Sequence, residues 1–171
     1  MKEKPLLKTG SDSKNIFGTS IKSNYWKQRD FILACTAALV FGLSFHLLSL
    51  EQYFPISKPV VTPLFIVTFF VLPILEETVF RGLIQESIHK LIEDNKHRFV
   101  RIRTILIAKI SMANFVTSIL FCLSHLWFQP LHWALAVFIP SILFGYFKDQ
   151  YNALTPAILL HIFYNMVFYL M

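Results

Sequence analysis

Long apolar runs separated by short polar segments are the feature that most constrains the fold of this 171-residue chain. A run of about 20 apolar residues can cross a bilayer as a helix. Hydrophobic residues make up 55% of the chain, more than one soluble core of this size can hide. The pattern therefore predicts an all-α polytopic membrane bundle of about five transmembrane helices. The predicted spans cover residues 31–50, 60–84, 104–128, 133–147 and 153–170.

Basic residues are distributed unevenly between these runs, and their positions predict the orientation of the chain. The net charge is +6, with basic clusters in a tail of residues 1–30 and in residues 90–103, whereas Lys58 lies in a loop predicted on the other side. The positive-inside rule then predicts a cytoplasmic tail and a transmembrane domain over residues 31–171, in the inner or plasma membrane of a bacterium. Alternating basic and apolar residues in 98–110 indicate an additional interfacial helix. Basic clusters between spans do not form the folded surface that nucleic-acid binding needs.

Three ionisable residues, Glu76, Glu77 and Arg81, interrupt the second apolar run. Each charge at membrane depth costs roughly 2.5 to 3.5 kcal/mol on insertion scales, so such residues usually mark a functional site. Glu77 and Arg81 are four residues apart, share a helix face and can pair. Glu76 is rotated by about 100° from Glu77 and is left for a partner on another helix. Pro73 is expected to kink this helix just before the two glutamates.

Further polar residues lie in the third and fifth runs. His125 ends the third run, and His161 and Asn165 share one face of the fifth. A third helix that begins near Ile110, rather than at Thr104, would bring His125 to the depth of the other polar groups. A carboxylate, two imidazoles and an amide are the groups required for hydrolysis by general base and oxyanion stabilisation. The remaining histidines have no comparable companions and are interpreted as structural or surface residues: His46, His89, His97 and His132.

The polar residues also form three ordered motifs, Glu76-Glu77-x-x-x-Arg81, Phe121-x-x-x-His125 and His161-x-x-x-Asn165. This ordered set resembles the CPBP family of intramembrane proteases, which contains CAAX prenyl endopeptidases and bacteriocin-processing proteins. The resemblance covers a motif core of about residues 60–171 and implies a glutamic endopeptidase that needs no metal.

The family resemblance also implies a role for each motif residue. Glu76 would be the general base that activates water, with the assistance of His125. His161 and Asn165 would stabilise the oxyanion, while Glu77 and Arg81 would hold the motif helix in position. The implied partners are the lipid bilayer and a peptide or protein substrate within or at the membrane.

Two alternatives to this interpretation stay open at the level of the sequence. Glu76, His125 and His161 are zinc-ligand types and would leave a fourth position open, although the chain has no HExxH spacing and the Asn165 amide is a poor zinc ligand. The family also includes members associated with bacteriocin self-immunity. The same polar residues would therefore also suit an immunity or peptide-binding membrane protein without catalysis.

Overall fold

The computed structural model describes residues 25–48, 63–95 and 110–170. In these ranges the chain forms five helical segments and no strand, which confirms the predicted all-α membrane bundle. They are α1 (Arg29–Leu48), α2 (Pro63–Asp94), α3 (Met112–His125), α4 (Leu131–Tyr151) and α5 (Thr155–Leu170). Most of the predicted tail, the loop after the first span and the predicted interfacial helix, except Ile110, lie outside the described residues.

Helix α2 is irregular around the acidic motif. It contains two π-helical stretches, Val67–Val71 and Thr78–Gln85, separated by the regular α-helical segment Leu72–Glu77. Pro73 is the second residue of that α-helical segment. Proline has no backbone N–H to donate, so the hydrogen-bond pattern changes close to where the sequence predicted a kink. Such π-helical turns are frequent at functional sites. The helix also continues to Asp94, beyond the end predicted near residue 84.

Helix α3 begins where the later of the two predicted starts placed it. Ser111 has an extended backbone, and its hydroxyl accepts a hydrogen bond from the Asn114 amide at 3.0 Å, which caps the first turn. The helix therefore starts at Met112 and ends at His125, a length of about 21 Å at 1.5 Å per residue. The start near Ile110 is confirmed, and the start at Thr104 is wrong for this helix.

Helix α4 is longer than the predicted span over residues 133–147, because its polar last turn has partners on other helices. Lys148 Nζ donates to Glu86 Oε2 at 2.7 Å, and Asp149 Oδ2 accepts from the Ser111 hydroxyl at 2.6 Å. The helix ends at Tyr151, and the next residue, Asn152, adopts a left-handed backbone with a φ of 49°. Asparagine tolerates this conformation better than most residues, and the chain then turns directly into α5.

The buried core lies between α1, α4 and α5, whereas the outer faces of the helices are apolar. Small residues at the core contacts, such as Ala34, Ala38 and Ala157, allow close approach of helix backbones. By length and composition, α2 and α4 can cross a membrane, and α3 and α5 are shorter apolar helices. Large apolar side chains are exposed along α1 and α2, as expected for lipid-facing surfaces: Ile32, Leu33, Val40, Leu43, Leu64 and Leu75.

The turn after α3 carries two exposed aromatic residues. Trp127 is 85% exposed and Phe128 is 83% exposed, directly after His125 at the helix end. Aromatic residues with this exposure are typical of the membrane–water interface.

Gly145 on α4 allows the closest approach between helices near the site. A Cβ atom at this position would overlap Asn114 Oδ1 and lie 2.9 Å from Gln85 Oε1. We therefore expect Gly145→Ala to lower the free energy of unfolding by about 1 to 3 kcal/mol through overpacking. The measurement is thermal unfolding of the purified protein, in which each kcal/mol corresponds to about 2 to 4 °C.

The matched control is Gly82→Ala on α2. Its Cβ would lie 3.3 Å from the flexible Leu154 side chain, which can move away. Equal melting temperatures for the two variants would contradict the importance of the Gly145 contact.

Candidate active site

A fully buried ion pair lies at the centre of the site. Arg81 Nε donates to Glu77 Oε2 at 3.1 Å, and both side chains are 0% exposed. The predicted pairing across one helical turn is thus confirmed. Arg81 Nη2 also donates to the backbone carbonyl and the hydroxyl of Ser141 on α4, at 2.9 and 2.7 Å. Ser141 was missed by sequence reasoning, because a lone serine in an apolar run carries no signal of its partner.

The second oxygen of Glu77 contacts α5. His161 Nδ1 lies 2.9 Å from Glu77 Oε1. A carboxylate paired with arginine can only accept hydrogen bonds, so Nδ1 carries the proton and donates. The sequence assigned Glu77 only to Arg81, and this contact extends that assignment: Glu77 also fixes the tautomer and orientation of the His161 ring.

Glu76 lies on the other side of the same imidazole. Its Oε2 is 3.5 Å from His161 Nε2, and its side chain is 32% exposed. His161 and His125 both lie within the range at which a charge on the imidazole would act on Glu76. The two adjacent glutamates therefore differ in environment, since Glu77 is sealed inside the bundle and Glu76 is accessible. This difference agrees with the sequence argument that the two side chains point in different directions.

Phe121 brings the two site histidines together. Its ring centroid is 4.6 Å from that of His125 and 5.8 Å from that of His161. The Arg81 guanidinium lies 5.3 Å from the same ring, in a cation–π contact. On the opposite helix, Phe144 stacks on His161 with centroids 4.9 Å apart. The imidazole of His161 is thus held by aromatic rings as well as by Glu77.

The His125 ring is oriented by its own helix. Its Nδ1 lies 2.9 Å from the Phe121 carbonyl oxygen, one turn earlier. A carbonyl only accepts, so Nδ1 carries the proton, and the neutral ring presents Nε2 as an acceptor.

Asn165 is the one predicted site residue that the structure does not connect to the others. It is partly buried, one turn after His161 on α5. Among the described residues, no hydrogen bond joins Asn165 to Glu76, His125 or His161. The structure therefore brings together Glu76, Glu77, Arg81, His125 and His161.

A protein binds a metal ion where several His, Cys, Asp or Glu side chains point towards the same position. Within residues 25–48, 63–95 and 110–170, no group of three or more His, Cys, Asp or Glu side chains is arranged to hold one. In addition, one nitrogen of each site histidine is engaged by a protein oxygen, Glu77 Oε1 for His161 and the Phe121 carbonyl for His125.

His89 has structural companions that the sequence did not indicate, and they agree with its interpretation as a structural residue. Its Nε2 lies 3.0 Å from Asp149 Oδ1 on α4 and 3.4 Å from the Ser111 hydroxyl that caps α3. The carboxylate and the hydroxyl thus share one ring nitrogen. This arrangement ties three helices together, but it does not align a serine, a histidine and an aspartate for nucleophilic catalysis.

The fold and the site define the chain as an integral membrane helix bundle with buried glutamate, histidine and arginine side chains. A family model described as type II CAAX prenyl endopeptidase Rce1-like matches residues 58–167. The chain belongs to this family, which confirms the CPBP resemblance. The matched range includes all three motifs. No curated protein and no solved structure matches the chain.

The contrasting environments of the two glutamates lead to a stability prediction. Glu77→Gln would leave the Arg81 charge buried without its carboxylate, and breaking a buried pair in this way costs about 3 to 5 kcal/mol. We expect this variant to unfold at a much lower temperature or to accumulate poorly in membranes. Glu76→Gln is the matched control, because the same change falls on a side chain that is 32% exposed and lies 3.5 Å from a histidine rather than in a fully buried pair with an arginine. Similar melting temperatures for both variants would argue against the buried pair as a stabilising element.

Proposed function

We propose that the chain is an intramembrane endopeptidase that hydrolyses a peptide bond of a membrane-associated or exported peptide or protein. Membership of the Rce1-like family supports a CAAX-type endopeptidase. The observation that carries the finer proposal is the row of polar groups from Glu76 through His161 and Glu77 to Arg81. In this row an accessible carboxylate faces an imidazole that a second carboxylate holds in place.

In the proposed reaction, Glu76 is the general base. It is the accessible carboxylate of the site, so it can accept a proton from water while the water oxygen attacks the carbonyl carbon of the substrate. The same proton then passes to the amide nitrogen as the carbon–nitrogen bond breaks. The products are a new carboxylate and a new amino terminus. His125 assists by orienting the water.

His161 and Asn165 are proposed to stabilise the oxyanion that forms on the carbonyl oxygen. Glu77 accepts from His161 Nδ1 and so holds the ring in place; when Nε2 also carries a proton, the ring can donate it to that oxygen. Asn165 follows one turn later on the same face of α5, where its amide can donate to the same substrate atom. Arg81 and Glu77 are positioning residues, since both are fully buried and act through His161.

The proposal includes the setting of the reaction. The substrate lies within or at the membrane, and the protein is placed in a bacterial inner or plasma membrane with its N-terminus in the cytoplasm. The base-and-oxyanion mechanism uses the chain's own side chains without a cofactor. Elemental analysis of active purified protein tests this point, because stoichiometric zinc whose removal abolishes cleavage would replace the proposal with a zinc-dependent one.

The first functional prediction concerns Glu76→Gln, which preserves size but removes the proposed base. We expect cleavage to be lost while the protein still accumulates in the membrane. The measurement compares new amino termini in membrane proteins from cells that express the variant or the unchanged chain. Asp94→Asn is the matched control, since it makes the same carboxylate-to-amide change at the exposed end of α2.

Identical sets of new termini from Glu76→Gln and the unchanged chain would contradict a catalytic role for Glu76. They would favour the alternative of a non-catalytic immunity or peptide-binding protein, which tolerates an amide at this position.

The second functional prediction concerns Asn165→Ala. Removal of one oxyanion donor typically raises the barrier by about 2.7 to 4 kcal/mol. We therefore expect turnover to fall by about 10²- to 10³-fold while the melting temperature stays close to that of the unchanged chain. Asn95→Ala, at the exposed end of α2, controls for loss of an asparagine as such. Full turnover by a folded Asn165→Ala variant would remove Asn165 from the mechanism.

A further inference from the structure

Polar side chains continue beyond the site along the contact between α2, α3 and α4. On α2 they recur every four residues, so they share one face. This face meets polar or small residues of similar spacing on α3 and α4, and most of these side chains are fully buried. The α2 residues are Glu77, Arg81, Gln85 and His89, and they face Ser111, Asn114, Thr117 and Ser118 of α3 and Ser141, Gly145 and Asp149 of α4.

These residues form two separate hydrogen-bond networks. The first, the site network, contains His161, Glu77, Arg81 and Ser141, joined by bonds of 2.7 to 3.1 Å. Glu76 adjoins it through His161.

The second, the Asp149 network, lies further along α2 towards His89. Asp149 accepts from Gln85 Nε2 at 2.7 Å and from the Ser111 hydroxyl at 2.6 Å. The Ser111 hydroxyl in turn accepts from the backbone N–H of Asn114. The side-chain oxygen of Asn114, Oδ1, accepts from the Ser118 hydroxyl at 3.1 Å.

Three buried polar atoms of α2 and α3 have no partner in either network. Arg81 Nη1, Gln85 Oε1 and Thr117 Oγ1 have no hydrogen-bond partner in the described part of the chain. All three side chains are 0% exposed. Arg81 belongs to the site network, Gln85 belongs to the Asp149 network, and Thr117 belongs to neither.

The neighbours of these residues place Thr117 at the level between Arg81 and Gln85. Thr117 is three residues after Asn114, whose Oδ1 approaches Gly145 from the same side as Gln85 Oε1. It is four residues before Phe121, whose ring lies 5.3 Å from the Arg81 guanidinium. Positions three and four residues apart share a helix face. Thr117 therefore faces the interval between the two networks.

The chemistry of the three atoms is complementary, but none of them forms a hydrogen bond with another in the structure. Arg81 Nη1 only donates, Gln85 Oε1 only accepts, and the Thr117 hydroxyl can do both. A buried donor or acceptor without a partner is costly, and native proteins rarely contain one. A water molecule can accept from the arginine and donate to the amide oxygen, and buried waters typically make about three such bonds.

We propose that a buried water site, held by Arg81 Nη1, Gln85 Oε1 and Thr117 Oγ1, joins the site network to the Asp149 network. The bridged network runs from Asp149, near the half-exposed His89, to the Glu77 carboxylate that orients His161. The water is a structural ligand of the bundle and is distinct from the water that is hydrolytically consumed. This inference concerns the buried network and stands whether or not the chain cleaves peptides.

The proposal is tested by whether the Thr117→Val substitution lowers or raises the melting temperature of the protein. Thr117→Val keeps the branched shape of the side chain and removes the hydroxyl. If Thr117 binds the water, the variant loses a bond and disturbs the site, and we expect the full-length protein to unfold about 2 to 4 °C lower. If the hydroxyl has no partner, the valine relieves the cost of burying it, and an unchanged or higher melting temperature would overturn the proposal.

Thr36→Val is the matched control on α1. The Thr36 hydroxyl makes only a local bond to the Ile32 carbonyl, at 3.0 Å and at an exposed position. The same substitution there should change the melting temperature less than Thr117→Val does.

An experimental map of the unchanged protein, at a resolution that shows ordered water, provides the second measurement. Density within hydrogen-bond distance of Arg81 Nη1 and of at least one of the other two atoms supports the site. A direct bond from Thr117 Oγ1 to Gln85 Oε1, with no density between them and Arg81, overturns it. If Thr117→Val does not accumulate, this map decides the question alone.

Discussion

The buried pair of Glu77 and Arg81 is the interaction on which the arrangement of the bundle around the site depends. Two charges at membrane depth are costly, and partners for their polar atoms reduce that cost. Those partners come from different helices: Ser141 from α4, the Phe121 ring from α3 and His161 from α5. The requirement to satisfy one ion pair therefore specifies which faces of three other helices must meet α2.

The parts of this arrangement that could be predicted are those contained within one helix. The pairing of Glu77 with Arg81 follows from their spacing, and the start of α3 near Ile110 follows from the depth that His125 must reach. The all-α fold follows from the apolar runs. In each case a local rule of geometry or solvation determines the result, and tertiary packing does not alter it.

The parts that could not be predicted are contacts between helices. Nothing in the spacing of Ser141 indicates that it binds Arg81, and nothing near His89 in the sequence indicates Asp149, which lies 60 residues away. The extra lengths of α2 and α4 have the same cause, since polar residues near their ends bind each other and the cap of α3. Helix rotation about its axis decides such contacts, and the irregular π-helical turns of α2 change that rotation from the ideal value.

The exposed turn after α3 has a practical consequence. Trp127 is one of three tryptophans in the chain, and it lies two residues after His125 with most of its surface uncovered. The emission of an indole shifts with the polarity of its surroundings, so this side chain is an intrinsic optical reporter at the end of the helix that carries a site histidine. Trp133, by contrast, packs edge-to-face on Phe168. The chain thus supplies its own fluorophore for following events beside the site, without a label that would disturb the bundle.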